Sequence, residues 1–548
     1  MKVVDKKSIL LVTCLCGLFL TACQSKGEGT KDKAVKQEVN VVYNAEMGSA
    51  DISLATDNYS FITLNNVYEG LYRLDKDNKP IIAGAKKKAQ ISEDGLTYTI
   101  DLREGAKWSN GDPVTAKDYV FSWQRTVDPK TASGYAYMLE PVKNALSISE
   151  GKKDKSELGV KAVSDTELEV TLEKPTPYFE SLLAFPTFFP QNENAVKEFG
   201  KDYALTASKS YYNGPFVLQN FDGAGTDDAW NLKKNNKYWD ADKVKLDKVN
   251  FSVVKESATS LNMFENNQAD DVLLTGELAM QKANDKNYVT QPGATTQYLE
   301  MNQDKKDSPF KNKDFRQAIS LSIDRQKLVD SILGNGSLVA NGIVPADMSY
   351  NPDTKTDFVK DVGTKLEYDK KAAQEHWEKA KADLGVDSVS FELLTSDTDQ
   401  SKKLGEYIQG AIQQNLEGVK MDVTTVPLSV RLDRSNNGKF DMVMNNWVGD
   451  YADPINFLEL FTTDSSYNRG KWVNEEYDKY VADSGDANVS DPSARWQDMV
   501  EAEKILDEDL GIIPLFQNAE AHLRAEKVKG LVIHGVGAGY DYKDVYVK

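Results

Sequence analysis

Cysteine and histidine are nearly absent: the chain of 548 residues holds three of each. Three cysteines cannot build a disulfide scaffold. His376, His522 and His534 are scattered, with no H-E-x-x-H spacing, so no resident metal is expected. No G-x-x-x-x-G-K-[ST] segment occurs, which excludes a P-loop for nucleotide hydrolysis. No G-x-S-x-G elbow occurs either. Positive charge is in deficit, 66 Lys and Arg against 85 Asp and Glu, a net charge of −19. Nucleic acid is therefore excluded as a partner. A glycosidase needs only two carboxylates, and a chain this acidic leaves that chemistry open. The lack of every local catalytic signature still favours a binding protein over an enzyme, with no cofactor.

Long apolar runs are also missing, with one short exception. Lys2, Lys6 and Lys7 precede an apolar stretch from Ile9 to Leu20. That is shorter than the roughly 20 residues a membrane span requires, so it reads as the core of a secretory leader. It ends in Leu20-Thr21-Ala22-Cys23, which resembles a bacterial lipobox, with Cys23 lipidated as the new N-terminus. Residues 1–22 are then a signal peptide. Removing them takes away three Lys and one Asp, a net +2, so −19 becomes −21. Cys14 and Cys16 leave with the leader. Residues 23–39 are polar and Gly-containing, a flexible tether. The expected location is the extracytoplasmic face of the bacterial cell membrane, anchored at Cys23.

What is present is the pattern of a large α/β protein. The length is too great for one hydrophobic core, so two or more lobes are expected. Leu96, Tyr98, Ile100 and Leu102 alternate as a strand, and Thr115 with Asp118 resembles a capping box opening a helix. Phe315, Ala318, Ile319, Ser322 and Ile323 define one helix face. Asp369 and Gly385 bracket another helix. Between 388 and 447 the order is strand, helix, strand, helix, strand, which predicts a parallel doubly wound sheet. Such sheets bind ligands beyond the carboxyl ends of their strands. The segment after Phe440 to Trp447 is therefore the place to look. Gly535 to Gly539 is glycine-rich but too near the C-terminus for a βαβ unit, and reads as a loop.

Aromatics in turn-like contexts are candidate cleft residues: Tyr135 and Tyr137, Tyr211 and Tyr212, and Trp447. Taken singly, each fits edge-of-core packing as well. The segment from Trp447 to Pro454 holds two aspartates with separable duties. Asp453 precedes Pro454 and an apolar run, as a helix N-cap does. Asp450 has no such duty. It follows Gly449, which permits close approach of a backbone or ligand. A carboxylate there suits a cationic ligand group.

Several motifs then fall in order: Val67 to Leu71 (V-Y-E-G-L), Leu102-Arg103, Lys107 to Ala116 (K-W-S-N-G-D-P-V-T-A), Asn213 to Phe216 (N-G-P-F), Phe315 to Ala318 with Ile323 to Arg325, and Trp447 to Pro454. Together with the lipobox they resemble the oligopeptide-binding lipoproteins of ABC importers, the family 5 extracellular solute-binding proteins. The resemblance covers nearly everything from residue 40 onward. It implies a two-lobed periplasmic-binding-protein-like fold with an extra inserted domain. Domain I would take residues 40–68, 193–294 and 516–548, domain II the insertion 69–192, and domain III residues 295–515, with hinges near 294 and 515. It also implies a monomer that hands peptides to membrane permease subunits served by a separate ATPase. By the same resemblance Asp450 pairs with the peptide α-ammonium. Trp447, Val448, Gly449 and Tyr451 with Thr56, Asn58 and Tyr59 flank the peptide as strands, about Thr56 to Tyr59 and Trp447 to Gly449, and Tyr135 lines the cleft. One departure stands out. Some members hold the peptide carboxylate with a basic residue three positions before the motif Trp, and here that residue is Met444. Longer peptides, or a grip by other contacts, are expected. A pheromone receptor on the same scaffold and a secreted hydrolase are the alternatives.

Overall fold

The computed structural model describes residues 35–224 and 227–548. The leader, Cys23 and most of the tether lie outside the described residues. The chain is mixed α/β, organised on an 11-stranded sheet. Its centre is two long strands, Tyr288–Met301 and Ile512–Arg524, paired antiparallel. Their register shifts between Pro292 and Thr296. On one side of this pair lie Met442–Val448, Val389–Ser396 and Val419–Val426. On the other lie Asp271–Leu274, Glu38–Tyr43, Lys248–Val253, Ala229–Lys234 and Phe216–Gln219.

The 388–447 pattern folds as its periodicity dictates. Val389–Ser396 pairs parallel with both Val419–Val426 and Met442–Val448, so the first strand sits in the middle. The helix Asp399–Asn415 buries Leu404, Ile408 and Ile412 at helical spacing. The parallel expectation holds within this unit and stops at its edge. Met442–Val448 runs antiparallel to Tyr288–Met301, so the sheet is mixed. The third strand would otherwise leave an open edge of unpaired backbone groups, and a strand from far away in sequence covers it.

Local signals hold as well. Asp118 Oδ2 accepts the Thr115 backbone N–H at 2.8 Å at the start of the helix Ala116–Val127. Asp369 Oδ1 accepts Ala372 N–H at 3.0 Å, and Gly385 ends that helix in the left-handed region. Residues 90–171 carry a separate antiparallel sheet of four strands, in which Tyr98, Ile100, Leu168 and Val170 face a core with Trp108 and Trp123.

The C-terminal segment is tied down by a buried charge network. The Arg73 guanidinium donates to Asp541 Oδ2 at 2.6 and 3.2 Å and to Glu69 Oε2 at 3.2 Å. Trp239 and Tyr238 also donate to Glu69. Removing the one cation strands two buried carboxylates. Arg73→Met is therefore expected to cost about 3–5 kcal/mol, read as a lower midpoint in chemical denaturation. An unchanged midpoint would show that the network contributes nothing.

Candidate ligand-binding site

The strand Met442–Val448 delivers the chain to Gly449 and Asp450, at the carboxyl end where a doubly wound unit places its ligands. Asp450 is 6% exposed. Tyr137 donates its hydroxyl to Oδ2 at 2.9 Å and Tyr135 to Oδ1 at 3.4 Å. The Asp450 backbone N–H donates to Asn456 Oδ1 at 2.8 Å. Burial pushes the carboxyl up to about 7, against the pull of these hydrogen bonds, and among the described residues no cation contributes. A buried carboxylate without a positive partner is costly in its charged form, which favours the proton.

The surrounding rings hold this geometry. Trp447 packs edge-on against Tyr467 at 4.9 Å between centroids, and Tyr467 against Tyr137 at 5.7 Å. Tyr135 stacks on Phe185 at 5.8 Å and meets Phe61 edge-on at 4.9 Å. Asn456 is fully buried and also lies 3.4 Å from Trp447 Nε1. Asp453 does what its position predicts. It accepts the Ile455 N–H at 3.0 Å and forms a two-pronged ion pair with Arg495 at 2.8 and 2.9 Å. It is structural, whereas Asp450 has the Tyr135 and Tyr137 hydroxyls on its carboxylate.

Glycine relieves crowding at two places, and at the second it also suits the backbone. A Cβ on Gly449 would sit 3.1 Å from the Phe457 ring. Gly537 has φ +65°, and its Cβ position is 3.2 Å from Asp450 O. Gly449 N–H donates to Ala294 O at 2.8 Å, and Gly537 N–H donates to Gly449 O at 2.7 Å. The C-terminal glycine loop thus lies directly against the Asp450 segment.

Other expected site residues are placed differently. Thr56 to Tyr59 is not a strand. Asp57 accepts the Ser60 N–H at 2.9 Å and caps the helix Asn58–Val67. An Asp ahead of a run containing Phe61, Ile62 and Leu64 is a helix start, and that local chemistry overrides an extended reading. Thr56 still lies beside Gly134, the residue before Tyr135: a Cβ on Gly134 would sit 3.0 Å from its methyl. Tyr59 packs on Tyr43 at 4.8 Å and donates to Asn44. Tyr451 turns away from Asp450 and stacks on Tyr178 at 4.6 Å. Met444 is buried in an apolar cluster, and Arg431 donates to its carbonyl at 3.2 Å.

Two recesses adjoin the site. One of about 260 Å³ is walled by Asp450, Leu74, Ser181, Phe185, His534 and Gly537. A second, of about 690 Å³, is bounded by Asn58, Val448 and the strand ends Val289 to Thr295 and Asn518 to Arg524. His534 and Gly537 belong to the walls of both. Tyr137 is among the candidate cleft aromatics of the sequence, without a role at Asp450, and Asn456 is not a candidate there at all. Tyr137 carries a signal, a second aromatic two residues from Tyr135 in the same turn. Asn456 carries none, since its role depends on how the chain folds back after Pro454.

The sequence pattern of the bacterial extracellular solute-binding proteins, family 5 Middle, matches residues 79–469. A dipeptide-binding protein of Lactococcus lactis is 37% identical over 550 residues, covering 98% of each chain. Listeria monocytogenes OppA bound to peptide superposes with a TM-score of 0.87 at 44% identity, covering 94% of this chain and 100% of that one. The pheromone receptor PrgZ superposes with the same TM-score at 42% identity, covering 94% and 100%.

Proposed function

The chain belongs to the bacterial extracellular solute-binding proteins of family 5, and on that premise we propose that it captures extracellular peptides in extended form and delivers them to a membrane permease. The observation that carries this reading is Asp450: a buried carboxylate, bonded by Tyr135 and Tyr137 and lacking a cation. The α-ammonium of a peptide supplies that cation. The chain then runs past Gly449 and Val448 toward the larger recess. The family is one of solute-binding proteins rather than enzymes.

The proposed division places domain I at 40–68, 193–294 and 516–548, domain II at 69–192 and domain III at 295–515. The sheet supports it: strands on one side of the central pair come from the first set of ranges, and those on the other side from the third. The central strands, with their shifted register at Pro292 to Thr296, suit a hinge. The protein is proposed to act as a monomer held to the membrane by lipid on Cys23. Among the described residues no helix is long and apolar enough to cross a membrane.

Native mass spectrometry of the purified protein, followed by release and sequencing of bound species, tests the reading. A ladder of unrelated peptides is expected. The equal likeness to a pheromone receptor gives the second reading its weight, and a single tightly held peptide would favour it. A bound metal, sugar or cofactor in place of peptide would overturn both.

A further inference from the structure

The strand Ile512–Arg524 has two unlike faces near its end. Ala519, Ala521 and Leu523 are buried. Asn518, Glu520, His522 and Arg524 alternate with them and line the recess of about 690 Å³. Three of these four carry charge, and they are wired together. His522 Nδ1 lies 2.7 Å from Asp271 Oδ1, and Arg524 Nε donates to the other oxygen of Asp271. His522 Nε2 lies 3.0 Å from the Tyr540 hydroxyl, which donates to Glu520 Oε2 at 2.6 Å.

Two carboxylates and two cations cancel within this group, but they are not equally reachable. Side-chain exposure is 6% for Asp271, 12% for His522 and 13% for Arg524, against 41% for Glu520. The inner three, Asp271 with His522 and Arg524, are held to one another and are the less exposed. Among the described residues every hydrogen bond to Glu520 goes to Oε2, and Oε1 accepts none. A carboxylate has about four acceptor positions, so capacity remains. The most exposed charge in the lining is therefore the negative one, Glu520, held in place from behind by Tyr540 and His522.

We propose that this recess is a side-chain subsite for a cationic residue, Lys or Arg, near the N-terminus of a bound peptide, with Glu520 as its acceptor. The proposal rests on the peptide reading above. Position follows from geometry. The recess shares His534 and Gly537 with the smaller one at Asp450, and includes Val448, two residues before Asp450. At about 3.3 Å per extended residue, that places the subsite at the second or third peptide residue.

The test is isothermal titration of the protein with alanine octapeptides. A single Lys is walked through positions 1 to 4, and norleucine or Glu replaces it at each position. At one or two positions Lys should bind about tenfold tighter than norleucine, with Glu weakest. Glu520→Gln should bring the Lys-to-norleucine ratio to about one. Equal affinities at every position would overturn the proposal, as would a Lys advantage that survives in Glu520→Gln. A preference for Glu would also overturn it and assign the recess to a carboxylate met by Arg524. Failure of every peptide to bind the wild-type protein is a different pattern, and it would remove the peptide reading and the subsite together.

Discussion

Asp450→Asn is expected to weaken binding of peptides with free N-termini by about 100-fold or more. The change keeps the shape of the side chain and removes its charge. A desolvated charge pair that loses one member typically costs 2–5 kcal/mol, much of it from the partner left alone. On the proposed function the partner is the peptide ammonium, which would sit near Tyr135, Tyr137 and the Gly537 loop. N-acetylation makes the complementary change on the ligand. Acetylated peptides should bind the wild-type protein weakly, and the Asn variant should distinguish free from acetylated peptides poorly. Titration calorimetry with both proteins and both peptides closes the cycle. Equal losses on acetylation in the two proteins would show that Asp450 does not meet the ammonium.

What the sequence discloses about this site follows the range of the interactions. Asp450 and Asp453 separate on local grounds alone: a Pro and an apolar run follow Asp453, and the structure gives it the Ile455 N–H and Arg495. The parallel order of the three strands between 389 and 448 is legible because each element carries its own period. The antiparallel neighbour Tyr288–Met301 is not legible there, since nothing in Met442–Val448 encodes which distant strand will cover its edge. Thr56 to Tyr59 fails in the other direction: a resemblance suggested a strand where Asp57 writes a helix cap. Glu520, His522, Asp271 and Tyr540 form the least legible feature. Asp271 stands 251 positions from His522, and an isolated His reads as a packing residue until the sheet brings its acids to it.

Acidification is expected to stabilise the free protein and to weaken its hold on peptide N-termini, two opposite slopes that share Asp450. Burial pushes Asp118 up to about 6, Asp450 and Glu503 to about 7 and Glu459 to about 8. Burial alone would lower His522, but Asp271 and Glu520 beside it raise it to about 9. Each of these groups holds its proton more tightly folded than unfolded. Their contribution to stability is full below the unfolded values and is lost as pH rises through the folded ones. Between pH 5.5 and 8.5 the folded chain thus binds the more protons, and each excess proton is worth about 1.4 kcal/mol per pH unit. Carboxyls held low by cations, such as Asp271 and Asp541, lose their contribution only below about pH 4, outside this window. The melting temperature should be higher at pH 5.5 than at 8.5 by roughly 5 °C in a thermal scan. Binding runs the other way. Asp450 must give up its proton to pair with an ammonium, so affinity should fall by about tenfold per unit below pH 7. Asp450→Asn should flatten the affinity slope while leaving most of the stability slope, which the other four groups carry. A melting temperature that drops on acidification across this window would refute the assignment of these buried acids, and an affinity indifferent to pH would refute the ionic role of Asp450 by itself.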